Sequence, residues 1–291
     1  MIHAVLLLVA LSCGPSCGGW PDWALPGTVT QSFGGARLAP ASATAPWGGT
    51  GLGLDRTEGS THSIYLPFAA WTSAGCSPIP GVAYGSLDVS GPPADPPAEQ
   101  HPDLNLALRG YEATDAYRGL VDYGGGSDPL APQLYTLFAD QRVPAFPSVS
   151  QVYDWDWECN CRGDLLTEWE VTLAGMAVAP GEILAVPDSG YSIGDGYEAL
   201  VLYASETRIT LKYTREDNVV NGFTIHVENV CVEPSLRALY RAWNSAGRGE
   251  LPALRGNQPF GRARGGEIGV AVRDVGSFLD PRSRKDWWQG R

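Results

Sequence analysis

Positive charge is in short supply in this chain. Twenty Lys and Arg stand against 32 Asp and Glu, a formal net charge of -12. Binding a phosphate backbone needs a positive field, so nucleic acid is excluded as a partner. Long apolar runs are missing too: nowhere does the sequence reach the roughly 20 apolar residues of a membrane-spanning helix, and no transmembrane segment is expected. Histidine is scarce, with four in 291 residues. None of His62, His101 and His226 stands at ligand spacing from another, so neither a metal nor a cofactor is expected. Gly124-Gly125-Gly126 is followed by no helix start and no Lys, which excludes a phosphate loop. What the chain does contain is 36 Gly and 23 Pro with only 18% charged residues, a composition of many short strands joined by turns.

The most apolar stretch is residues 4–11, followed by Cys-Gly-Pro-Ser-Cys-Gly-Gly. It has the length of a signal-peptide core, although Met1-Ile2-His3 supplies no Lys or Arg. Ala10-Leu11-Ser12-Cys13 resembles a lipobox with Ala at its first position, which makes Cys13 a lipidation candidate. A membrane would be met only through that anchor, and the expected location is secreted or in the cell envelope. In an oxidising compartment Cys76, Cys159, Cys161 and Cys231 form two disulfides, with three connectivities open. A zinc site at Cys159-Asn160-Cys161 lacks a second pair of thiols.

The expected fold is mostly β, with an irregular β-rich N-terminal half and a C-terminal β-domain carrying one inserted helix. The expected segments are a signal peptide at 1–18, a Gly/Pro-rich irregular β region at 19–165, and the β-domain at 166–291. Residues 63–66 and 103–108 read as strands, and residues 132–138 as one short helix. Residues 199–204 and 208–214 read as paired strands, with Ile209, Leu211 and Tyr213 facing the core. Asn221-Gly222 marks a tight hairpin turn between Val219-Val220 and Phe223. The apolar face of Leu236, Leu239, Tyr240 and Trp243 predicts a helix over 234–246, stopped by Gly247. Residues 267–273 form another strand. His101-Pro102-Asp103 reads as a capped turn.

Residues 152–158 alternate aromatic and acidic side chains. Tyr153, Trp155 and Trp157 fall on one strand face and the acids on the other. Asp154, Asp156 and Glu158 are therefore candidate catalytic carboxylates beside flat rings, as a glycoside-cleaving surface would use. The competing reading is a core strand with a solvated acidic face. Near the end, Arg262, Arg264, Arg273, Arg282, Arg284, Lys285 and Arg291 accompany Trp287-Trp288. Such a basic, aromatic segment docks either on anionic polymers or on the acidic part of its own chain, and self-docking is the simpler reading.

Several segments of the last 120 or so residues are similar, in order, to the motifs of one family. Residues 180–190 resemble P-x-G-T-x-V-x-A-x-x-x-G, residues 197–203 resemble G-Y-G-N-x-V-x-I, and residues 224–232 resemble Y-x-H-L-x-x-x-x-V. Residues 256–261 resemble a G-Q-x-I-G turn, and residues 267–281 an H-L-H-F-E-V-R strand with its trailing D-P. These are motifs of lysostaphin-type peptidoglycan endopeptidases, zinc metallopeptidases with a β-domain. The resemblance requires residues 234–246 as an insertion. It also implies that the zinc ligands are gone: residues 171–176 offer none, Glu267-Ile268-Gly269 stands in place of the late H-x-H, and only His226 matches a family histidine. The expectation is thus a non-catalytic exported protein that binds a glycan or peptidoglycan, with Trp155, Trp157, His226 and Glu267 meeting the ligand. The alternative is a secreted hydrolase using carboxylates.

Overall fold

The computed structural model describes residues 77–291, all within one compact unit. The signal segment, Cys13, Cys76, His62 and the strand expected at 63–66 lie outside the described residues. Fourteen strands occur among the described residues: β1 (Gly85–Asp88), β2 (Tyr111–Ala113), β3 (Val149–Asp156), β4 (Cys161–Leu165), β5 (Leu173–Ala177), β6 (Ile183–Ala185), β7 (Ala199–Ala204), β8 (Arg208–Lys212), β9 (Phe223–Glu228), β10 (Val230–Val232), β11 (Glu250–Leu254), β12 (Pro259–Ala263), β13 (Glu267–Asp274) and β14 (Ser277–Leu279). The helices are α1 (Leu106–Arg109), α2 (Pro234–Ser245) and α3 (Arg284–Trp287), with 3-10 turns at Ala98–Gln100 and Leu134–Leu137. The protein is mostly β.

The strands of the large sheet pair antiparallel in the order β1-β11-β7-β8-β9-β13-β5-β3-β2, with β14 beside β13 and β4 beside β3. A small sheet runs β10-β12-β6. The large sheet crosses the boundary drawn at 165/166, since Val149 and Ser150 pair with Ala174 and Leu173.

Strand alternation divides the central sheet chemically. One face carries Ile209, Leu211, Ile225, Val227, Ile268, Val270 and Val272, all buried in the main core. The other face carries polar rows fixed by register. Arg208 lies opposite Glu228 and Thr210 opposite His226, while Arg273 lies opposite Thr224. Residues 98–110 roof the middle of this polar face. The Thr210 hydroxyl donates to the Leu104 carbonyl at 2.7 Å. Asp103 binds Arg109 at 2.6 Å and Arg273 at 2.7 Å. Leu106 packs with Val152, Leu173, Ala271 and Phe278 as a separate small core.

That roof corrects the strand expected at 103–108. Polar/apolar alternation there reflects a turn and the single helical turn α1, in which Leu104 and Leu106 reach two different cores. The turn at residues 101–103 forms as expected, with the Asp103 N–H donating to the His101 ring at 3.2 Å. Asn221-Gly222 is likewise no two-residue hairpin. Residues 213–222 form a long connection because Asp217 is drawn into a buried ion pair with Arg248 at 2.6 Å. The helix expected at 132–138 shrinks to a 3-10 turn that still buries Leu134, Leu137 and Phe138.

The helix at 234–246 forms as α2. The Glu233 carboxylate accepts the Ser235 and Leu236 N–H groups at 2.6 and 3.0 Å, and Gly247, with φ 94°, ends it. The basic end folds back on the chain's own acids. Arg282 pairs with Asp280, Arg284 with Asp122 and Lys285 with Asp286, while both Trp287 and Trp288 are buried.

Candidate functional site

The aromatic and acidic residues singled out in the sequence lie on the β3–β4 hairpin. Only the first half of β3 is core, through Val149, Ser150 and Val152. The second half projects from the sheet, which corrects the core-strand reading. Trp157 is 51% exposed and meets the His101 ring edge-on at 5.5 Å. The Trp155 indole donates to Asn160 at 3.3 Å. A Cys159–Cys161 disulfide closes the hairpin tip, and Cys231 is also disulfide-bonded.

The three acids of the hairpin do not converge. Asp154 ion-pairs with Arg109 at 3.3 Å and lines a cavity of about 170 Å³ with Thr172 and Arg273. Asp156 accepts the Glu158 N–H at 2.8 Å, as an Asx turn does. Glu158 is exposed in the loop.

A larger cleft, about 450 Å³, opens at one end of the polar sheet face. Six adjacent strands contribute to it: Arg208 from β8, Glu228 from β9, Gly269 from β13, Leu173 from β5, Ser150 from β3 and Tyr111 from β2. Glu267, Ser148, Thr207, Asn229 and Arg264 complete the wall. Arg208 clamps both Glu228 carboxylate oxygens through Nε, at 3.2 and 3.0 Å. Burial pushes the Glu228 carboxyl above its ordinary value, against the pull of Arg208. Glu267 accepts a hydrogen bond from Ser148, and its backbone carbonyl accepts from the Asn229 amide at 2.5 Å. Its carboxylate lies over Gly175, where a Cβ would collide with both Glu267 and Ser148. Arg264 is exposed and forms no ion pair. Tyr111 offers a ring that is 46% exposed.

Of the residues expected to meet a ligand, Glu267 alone lines this cleft. His226 lies one strand pair along the same face and is 1% exposed beneath the roof. Its Nδ1 is 3.0 Å from Thr210 Oγ1. The Thr210 hydroxyl proton is already committed to Leu104, so Nδ1 carries the hydrogen and donates. Burial, reinforced by Arg273, brings the imidazole down to about 3, and it is neutral. Thr172 lines the separate small cavity, so the positions singled out by the family resemblance do not share one cleft.

Sequence reading missed Tyr111, Ser148, Arg208 and Glu228. The available signal was polar side chains at every second position, Arg208, Thr210 and Lys212 in one strand and Thr224, His226 and Glu228 in the next. Among the described residues no group of three or more metal-ligating side chains converges, and no helix is long and apolar enough to cross a membrane. Comparison with protein-family models finds no match, and searches of curated proteins and of solved structures find none either.

Proposed function

We propose that this is an exported, non-catalytic envelope protein that binds a glycan or peptidoglycan strand in the cleft across the polar sheet face. The observation that supports this reading most is the cleft's construction, with fixed polar groups presented by five of six neighbouring strands. Groups held on a sheet and locked by their own hydrogen bonds are pre-organised, so a polymer pays little to order them. Sugar hydroxyls meet Ser150, Thr207 and Asn229. The exposed Tyr111 ring suits the apolar face of a pyranose. Charged groups of a peptide stem meet Glu267 and Arg264. The disulfides support an oxidising compartment.

The test is co-sedimentation with purified peptidoglycan together with titration by chitin oligosaccharides. Tyr111→Ala and Glu267→Ala are expected to weaken binding at least about tenfold, while Arg241→Ala on the exposed face of α2 leaves it unchanged. No binding to either polymer, or binding unaffected by both cleft variants, overturns the reading.

One observation favours hydrolysis instead. Glu228 and Glu267 are diagonal neighbours on one face, with Cα atoms roughly 7–8 Å apart by sheet geometry, and burial raises the Glu228 carboxyl. Release of new reducing ends, abolished in Glu228→Gln with polymer binding retained, would decide for an acid/base pair.

A further inference from the structure

On the core-side face of the same strands a second concavity gathers rings and uncompensated acids. A cavity of about 420 Å³ and one of about 190 Å³ share Asp128, Phe223 and Asp274 as walls, so they form one trough. Trp169 and Trp287 line the larger part, and Tyr191 the smaller. The rings are set rigidly. Phe223 packs against Trp287 at 5.5 Å, nearly perpendicular, and against Tyr191 at 6.1 Å.

The charges in the trough do not cancel. Asp128, Asp274 and Asp286 face it against Lys285. The Lys285 ammonium is spent on Asp286, at 2.8 and 3.0 Å, and on the Gly126 carbonyl at 2.7 Å. Asp128 accepts hydrogen bonds from the Leu130 N–H and the Tyr191 hydroxyl, both neutral donors. Asp274 is half-buried and forms no ion pair. Lys212, whose Nζ is 3.5 Å from the carbonyl of trough-lining Gly222, attracts it without reaching ion-pair distance. Burial raises the Asp274 carboxyl, and the charge of Asp128 adds to that. Two carboxylates without an ion-pair partner, beside the rings of Phe223, Trp169, Trp287 and Tyr191, form a lining suited to a positive charge with apolar substituents.

We infer that this trough is a binding site for an organic ammonium ion on an apolar stem, such as a lysine-type or diamino-acid side chain. A divalent metal fits less well, because no set of three ligating side chains converges among the described residues. The site is separate from the cleft of the proposed function and stands without it.

The experiment titrates the full-length protein with 1,5-diaminopentane and with the neutral 1-pentanol, read by tryptophan fluorescence, since Trp169 and Trp287 line the trough. The diamine is expected to bind at least about tenfold more tightly than the alcohol, to raise the melting temperature, and to lose at least that factor in Asp274→Asn. Equal binding of amine and alcohol by the wild type overturns the inference and needs no variant. A folded Asp274→Asn protein that binds the diamine as the wild type does overturns it as well.

Discussion

Replacing Asp103 with Asn strikes the point where the roof is tied to the sheet. Asp103 reaches both Arg109 and Arg273, at 2.6 and 2.7 Å, and both guanidinium groups are nearly sealed from water. Burial by itself would raise the Asp103 carboxyl. The two guanidiniums outweigh it and hold the group at about 2. In the unfolded chain the same carboxyl titrates near its ordinary value of about 3.9. A carboxyl depressed on folding contributes stability that is present above the unfolded value and lost as pH falls through the folded one. Here that window runs from about pH 4 down to about pH 2, and the contribution is on the order of 2–3 kcal/mol.

Asn keeps the shape of Asp103 but removes its charge, leaving two buried cations facing one another. Breaking a buried pair in this way costs about 3–5 kcal/mol. Urea unfolding without reductant, at pH 7, 4 and 2.5, measures the gap between wild type and Asp103→Asn. The gap should be largest at pH 7 and shrink steadily below pH 4. A gap under about 1 kcal/mol at pH 7, or one that stays constant as pH falls, would refute the argument that Asp103 works through its charge.

Gly175→Ala should displace the Glu267 carboxylate, because the added methyl occupies its resting place beside Ser148. Both the Glu267 carboxylate and the Ser148 hydroxyl have to move, so stability should fall by about 1–3 kcal/mol while polymer binding drops; thermal unfolding alongside co-sedimentation separates the two, and unchanged binding would remove Glu267 from the site. Alkylation of native protein before reduction should leave Cys159, Cys161 and Cys231 unmodified, since all three are disulfide-bonded. Peptide mass spectrometry finding these thiols alkylated would count against both the disulfides and the exported compartment.

The regular elements were legible where one local pattern decided them. Residues 208–212 and 267–274 alternate against a single buried face, residues 199–204 form one short apolar run buried on both faces, and α2 carries both its apolar stripe and its stop at Gly247. The reading failed where a distant charge decided the path. Nothing near residue 103 announces Arg273, and nothing near residue 217 announces Arg248, yet these pairs turn an apparent strand into a roof and an apparent hairpin into a long loop. The cleft was half legible. Glu267 was named from the family resemblance, but its partners come from strands far away in sequence. The most conspicuous local pattern, the aromatics and acids of residues 153–158, marks a projecting hairpin and builds no common cavity.

The geometry of β9 and β13 decides whether the cleft and the trough act as one site. Glu228 and Gly269 pair on the polar face, while Phe223 and Asp274 pair on the opposite face at the other end of the same two strands. From Glu267 to Asp274 the strand rises roughly 23 Å at about 3.3 Å per residue. A small ligand cannot bridge that length, and on the trough's own face the buried side chains of Ile225, Val227, Val270 and Val272 fill the core along these strands. Nor do mobile side chains link them: Glu228 is clamped by Arg208, and Phe223 is held by Trp287 and Tyr191. Substitutions at the two ends are far enough apart, with no shared partner, to act additively. Asp274→Asn therefore reads the ammonium trough alone and Glu267→Ala reads the polymer cleft alone, and the failure of either proposal leaves the other standing.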